Sequence, residues 1–133
     1  MSALKSQVGM RSGPYRDEVT PNRILAFCQA LGIPEGHTAP PTFLTLFRRG
    51  EFDLFQKLGI DLARILHAEQ EYRYENSIQA GDGIRFETTI ANVLEKQGSS
   101  YHMQFIIFET EVHAERNSQT LRVGKTKTTV VVR

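Results

Sequence analysis

Between residues 19 and 32 the chain reads VTPNRILAFCQALG, and its apolar positions fall three and four residues apart. Ile24, Phe27, Cys28 and Leu31 repeat at i, i+3, i+4 and i+7, the spacing of one buried helix face. Thr20 supplies a hydroxyl cap, and Pro21 takes the first helical position, where its missing N–H is no loss. Gly32 suits a left-handed C-terminal cap. IPEGHTAP follows as a loop rich in helix breakers. From Thr42 the helical spacing resumes. Phe43, Leu44, Phe47, Leu54, Phe55 and Leu58 share an apolar side, with Arg48, Arg49, Asp53 and Gln56 away from it. Gly50 either splits this run into two short helices or marks the close approach of another backbone, and Gly59 ends it. So much aromatic surface on a short segment predicts a helix wrapped by a sheet.

From His67 onward the period becomes two. Ala68, Gln70, Tyr72 and Tyr74 fall on one strand face, and His67, Glu69, Glu71 and Arg73 on the other. Ile84, Phe86, Thr88 and Ile90 alternate in the next run, with QAGDG at 79–83 as the turn between and LEKQGSS closing the strand. Tyr101, Met103, Phe105 and Ile107 begin a third strand, whose block of residues 105–108 predicts a centre buried on both faces. HAERNSQ makes the last turn and LRVGKTKTTVVVR the last strand. Helices followed by four strands joined through short turns predict an α+β domain with an antiparallel sheet. The domain is expected over residues 19–133, behind a tail or docked edge segment at 1–18.

The length of 133 residues fits one domain. Sixteen basic side chains balance 15 acidic ones without a basic block, so a nucleic-acid partner has no electrostatic support. No run approaches the roughly 20 apolar residues of a membrane span. MSALKSQVGMRSGPYR lacks the apolar segment and cleavage site of a secretory signal. The single cysteine, Cys28, excludes an internal disulfide and fits a reducing, cytoplasmic setting. On an apolar helix face it reads as a small buried hydrophobe.

Candidate chemistry is sparse. GDG at 81–83 lacks the lysine and following helix of a phosphate loop and reads as a turn. His37, His67, His102 and His113 share no ligand spacing with one another or with Cys28, so no metal is expected. His102 and His113 are expected at the surface. No serine sits on a nucleophile elbow. Glu35 and His37, however, stand just before the Phe-rich helix. Its first N–H groups, at Thr42, Phe43 and Leu44, suit the polarising of a carbonyl oxygen, with a histidine nearby as base. The blander reading of His37 is a solvated loop imidazole, and that of the charged face at 67–73 the wet side of a half-covered sheet or a partner contact.

Three segments in strict order carry a likeness: V-T-P-x-x-I-L-A-F-C-x-A-L-G at 19–32, A-P-P-T-F-L at 39–44, and L-H-A-E-Q-E-Y-R-Y-E-N-S-I-Q-A-G-D at 66–82, with T-T-V-V-V-R closing the chain. Through them the chain resembles the MaoC-like hydratase/dehydratase group of hot-dog proteins, especially its N-terminal-type or small-subunit domains. The resemblance implies an α+β hot-dog fold, a central helix wrapped by an antiparallel sheet. It implies edge-to-edge pairing as a homodimer, or as a heterodimer with a related hot-dog subunit. It also implies reversible hydration of an enoyl thioester on coenzyme A or acyl carrier protein, with no cofactor beyond that substrate. Such chemistry needs an acid–base pair and donors on the thioester oxygen.

The chain departs from active relatives where their Asp-x-Asn-Pro-x-His run belongs. It has only GIPEGHTA between Leu31 and Pro40, with Glu35 two residues before His37 rather than five, and A-P-P-T-F where active subunits have an A-H-G-type entry. The catalytic pair is therefore carried over to no residue. The reading that follows is the substrate-binding, non-catalytic half of a heterodimeric dehydratase, with Pro41, Thr42, Phe43, Leu44 and Phe47 beside the acyl chain and the phenylalanines also packing the core. The alternatives are a catalytic homodimer using His37 and Glu35 as a displaced pair, a non-enzymatic acyl-thioester-binding module, and a thioesterase using Glu51 or Asp53 on the central helix.

Overall fold

Thr20 caps the first helix, α1 (Pro21–Leu31), by accepting from the Arg23 N–H at 3.2 Å, and Gly32 ends it at φ 70°. In the computed structural model, which describes residues 3–100 and 102–133, Ile24 and Cys28 of this helix are buried and Phe27 packs against them. Leu31 is not part of that face. It is 51% exposed, because the left-handed turn at Gly32 comes immediately after it and carries the chain away from the core.

The second apolar run divides in two, a short 3-10 helix, Pro41–Leu46, and helix α2 (Arg49–Leu58). The break lies at Phe47 and Arg48, one turn before the position the sequence marks. Gly50 instead lies in the first turn of α2, and what it approaches is a side chain: a Cβ there would stand 2.2 Å from Thr88 Oγ1. Gly50, Glu51, Leu54 and Phe55 are the buried residues of α2.

Five antiparallel strands wrap this helix: β1 (Arg11–Glu18), β2 (Ile65–Tyr74), β3 (Gly83–Gln97), β4 (His102–Arg116) and β5 (Gln119–Val132), in the order β1-β3-β4-β5-β2. The number and the order of the strands depart from the sequence expectation. A fifth strand, β1, precedes the helices. It lacks an apolar alternation because it is an edge strand, bulged between Ser12 and Tyr15, with Ser12 its one buried residue. The turn at 79–83 does not join hairpin neighbours, since β2 lies at the far edge beside β5 while β3 pairs with β1 and β4. The β4–β5 hairpin does form as expected, through Asn117 and Ser118 at φ 52° and 62°, whose left-handed geometry matches strand twist.

Nor is the centre of β4 covered on both faces. Ile106 and Phe108 are sealed in the core, whereas Phe105 and Ile107 are half-buried on the outer face, where no helix lies. Tyr101 falls outside the described residues. In β2 a register shift between His67 and Glu69 turns His67 to the helix side, opposite buried Val130 and within 3.2 Å of Gln70. His67 therefore does not share a face with Glu69, Glu71 and Arg73.

The core has two apolar clusters. One, around Phe43, Phe47 and Phe86, lies under α1 and the 3-10 helix; the other, around Phe55, Ile106 and Phe108, lies under α2. Between them runs a buried cross-strand row, Ser12, Thr88, Thr110 and Thr126, which ends opposite Tyr72. Short hydroxyl side chains let α2 approach the sheet closely at Gly50, and the Thr88–Thr110 hydroxyl bond of 2.7 Å satisfies them there.

Candidate functional site

A cleft of about 380 Å³ opens where the start of the 3-10 helix meets the end of β2. Thr38, Ala39, Pro41, Tyr74, Glu75, Asn76 and Ser77 line it, mostly with apolar surface. Depressions of about 540 Å³ elsewhere, around Arg16 and Arg85 and around Tyr15 and Asp53, are walled by charged and polar groups. The Tyr74 cleft has the mostly apolar lining with a few polar groups of a site for an apolar ligand.

One wall is set by Tyr74 at the end of β2. The Tyr74 hydroxyl donates to the Pro41 carbonyl, and the Tyr72 and Thr45 hydroxyls bond to each other. Burial pushes the Tyr74 phenol up to about 12, against the pull of the Leu44 backbone hydrogen bond, so it stays protonated at neutral pH. The other wall is a short antiparallel pairing of 37–39 with 78–80: the Ala39 N–H donates to Ile78 O at 2.8 Å and the Ala80 N–H to His37 O at 3.0 Å. Behind it lies Asp82, 1% exposed. It accepts from Arg116 Nε and Nη2, both at 2.8 Å, and from the Gln79 N–H at 2.9 Å, while Arg116 Nη2 also donates to Ser77 O at 2.9 Å. Burial alone would raise the Asp82 carboxyl. The Arg116 and Gln79 hydrogen bonds, with the charges of Arg116 and His37, outweigh it and hold the group below the usual carboxylate range.

Of the residues singled out in the sequence, Pro41 lines the cleft and Thr42 is exposed. Phe43, Leu44 and Phe47 are buried to within 1% and belong to the core. The expected row of free N–H donors is broken at Phe43, which donates to Pro40 O at 2.9 Å. Glu35 and His37 are both exposed, and no hydrogen bond or ion pair joins them. The carboxylate that feels His37 is Asp82. Glu75, the carboxylate lining the cleft, is ion-paired with Arg122 at 3.1 Å.

The carboxylates of the central helix do not open on this cleft. Glu51 is 1% exposed, held by Arg48 at 3.0 and 3.2 Å and by the Thr128 hydroxyl at 2.9 Å. Asp53 accepts from the Tyr15 hydroxyl at 2.6 Å, with Arg49 at 3.7 Å. Among the described residues no three His, Cys, Asp or Glu side chains gather as a metal site, and no helix is long and apolar enough to cross a membrane. Sequence reasoning missed Tyr74, Asp82 and Arg116. The signal for Asp82 was present in the GDG turn, where a short carboxylate sits between two glycines.

Residues 6–122 match the family model of the FAS1-like dehydratase domain region. A UPF0336 protein of Thermobifida fusca is 30% identical over 117 residues, 74% of this chain and 73% of that protein. In fold, the chain superposes on the C-terminally truncated HadBC (3R-hydroxyacyl-ACP dehydratase) complex from Mycobacterium tuberculosis with a TM-score of 0.73 at 19% identity, covering 94% of this chain and 96% of that one. The MaoC-like dehydratase from Rhodospirillum rubrum gives 0.61 at 20% identity, with 94% and 91% covered. The helix wrapped by an antiparallel sheet is thus the hot-dog fold of dehydratases.

Proposed function

The chain belongs to the FAS1-like dehydratase domain family, and on that premise we propose that it is the substrate-binding, non-catalytic half of a heterodimeric 3-hydroxyacyl-thioester dehydratase. One observation carries the reading: the titratable side chains that line the cleft are a phenol held protonated and a carboxylate already paired with Arg122. The phenol is no base at neutral pH and the carboxylate is turned to Arg122 at the surface, whereas the apolar walls suit an acyl chain. The HadBC structure, a complex by its own description, supports a divided assembly. So does the free edge of β2, whose outer N–H and C=O groups can extend the sheet into a related subunit.

The test is turnover of an enoyl-CoA by this chain reconstituted with a related hot-dog subunit that carries the Asp and His. Tyr74→Ala in this chain raises KM about tenfold and leaves kcat nearly unchanged, the mark of lost uniform binding. His37→Ala leaves both unchanged. A second reading, a catalytic homodimer, draws on the charge of His37, which adds a small share to holding the Asp82 carboxyl low. It predicts loss of kcat in His37→Ala, and that result replaces the first reading.

A further inference from the structure

We infer that the Asp82–Arg116 ion pair positions the cleft: it holds the wall formed by 37–39 and 76–80 in the shape that receives the ligand. This rests on the reading of the cleft as an acyl-thioester site.

Arg116 ends β4 and takes a two-pronged grip on Asp82, with a third bond to Ser77 O. Asp82 adds the Gln79 N–H. Its own carbonyl accepts from the Val19 N–H at 2.9 Å, and the Gly81 N–H donates to Val19 O at 2.7 Å, which ties the same turn to the start of α1. Four of the seven lining residues, Thr38, Ala39, Asn76 and Ser77, lie on the wall segments 37–39 and 76–80. Those segments are joined to each other by few bonds, the Ala39–Ile78 and Ala80–His37 pairings and the Thr38–Gln79 bridge. A two-residue pairing at a sheet's end is weak by itself and needs an outside anchor. The fork of half-buried Arg116 on the sealed Asp82 carboxylate is such an anchor, beside the Glu75 and Asn76 N–H bonds to Val123 O, and its geometry is one a lysine cannot reproduce.

The experiment compares Asp82→Asn and Arg116→Lys with Glu51→Gln, a buried group of the central helix outside the cleft. Two quantities are read in the whole chain: amide hydrogen exchange at Ala39 and Ala80, and the Kd of octanoyl-CoA. In Asp82→Asn both amides exchange at least about tenfold faster while α2 and the centre of β4 stay protected. Where the formed cleft is left in only about a tenth of the molecules, the two amides lose their protection altogether and the Kd rises about tenfold. Arg116→Lys moves both in the same direction by less. Glu51→Gln lowers Tm but leaves the Ala39 and Ala80 amides and the Kd where they were. Unchanged exchange in both Asp82→Asn and Arg116→Lys overturns the inference, as does a Glu51→Gln variant that weakens binding equally, since the effect is then a general loss of stability. If the unaltered chain does not bind octanoyl-CoA, the acyl-thioester reading fails, and the positioning of a cleft for that ligand fails with it. The exchange result still reports whether the pair holds the wall.

Discussion

Phe43 shows how a residue's environment decides between two readings that its type leaves open. Its ring meets Phe27 and Phe47 edge-on, at 5.3 and 6.0 Å, with none of its surface exposed. Phe43→Ala is therefore expected to cost about 3–5 kcal/mol in urea denaturation, as large-to-small changes in a sealed core do. A loss below about 1 kcal/mol would return Phe43 to the surface of a pocket. Asp82 makes the same point for charge. Its folded carboxyl lies below the ordinary value of about 3.9, so its stabilisation is complete above that value and is lost as pH falls through the lowered one. Asp82→Asn removes this dependence, so the variant's stability, though lower at neutral pH, falls less between about pH 5 and 2. An acid limb as steep as that of the unaltered protein contradicts the assignment. The sequence shows an Asp in a glycine turn. It cannot show that Arg116, 34 residues later, arrives beside it, because that pairing is made by the β3–β4 hairpin.

At the scale of elements, local rules sufficed where neighbours in sequence do the packing. The cap at Thr20, the proline at the first helical position and the glycine that ends α1 are all as read, because each bond closes within four residues. They failed where a distant strand sets the outcome. Leu31 has helical spacing but no sheet beneath it, and β1 has a sheet beside it but little buried surface of its own. The bulge in β2 is a single unpaired residue, and it reverses the face of every position before it. Two glycines carry the contacts that position the elements. Gly50→Ala brings a Cβ against the buried Thr88 side chain and is expected to cost about 1–3 kcal/mol. Gly124→Ala is worse, since at φ 147° its Cβ would meet the Arg73 backbone carbonyl at 1.8 Å, and a ladder carbonyl cannot move aside. Thermal unfolding should rank Gly124→Ala as the less stable of the two, and equal midpoints would refute the account of β2–β5 pairing.

For the whole molecule, the two sheet edges differ in kind. β1 carries Pro14 and a bulge, both of which blunt an edge against further pairing. β2 beyond its bulge runs regularly from Glu69 to Tyr74 and ends at the tyrosine that lines the cleft, so a subunit added there would lie beside the cleft. Likeness of sequence revealed this family and its fold, while the proposed division of labour rests on the two titratable side chains that line the cleft, Tyr74 and Glu75. The measurement that tests it most directly is the hydration of crotonyl-CoA, followed by loss of its ultraviolet absorbance, with the chain alone and then with a related subunit that carries the Asp–His pair. The account predicts no turnover by the chain alone and turnover by the pair that His37→Ala leaves intact. Turnover by the chain alone, abolished by His37→Ala, would contradict it.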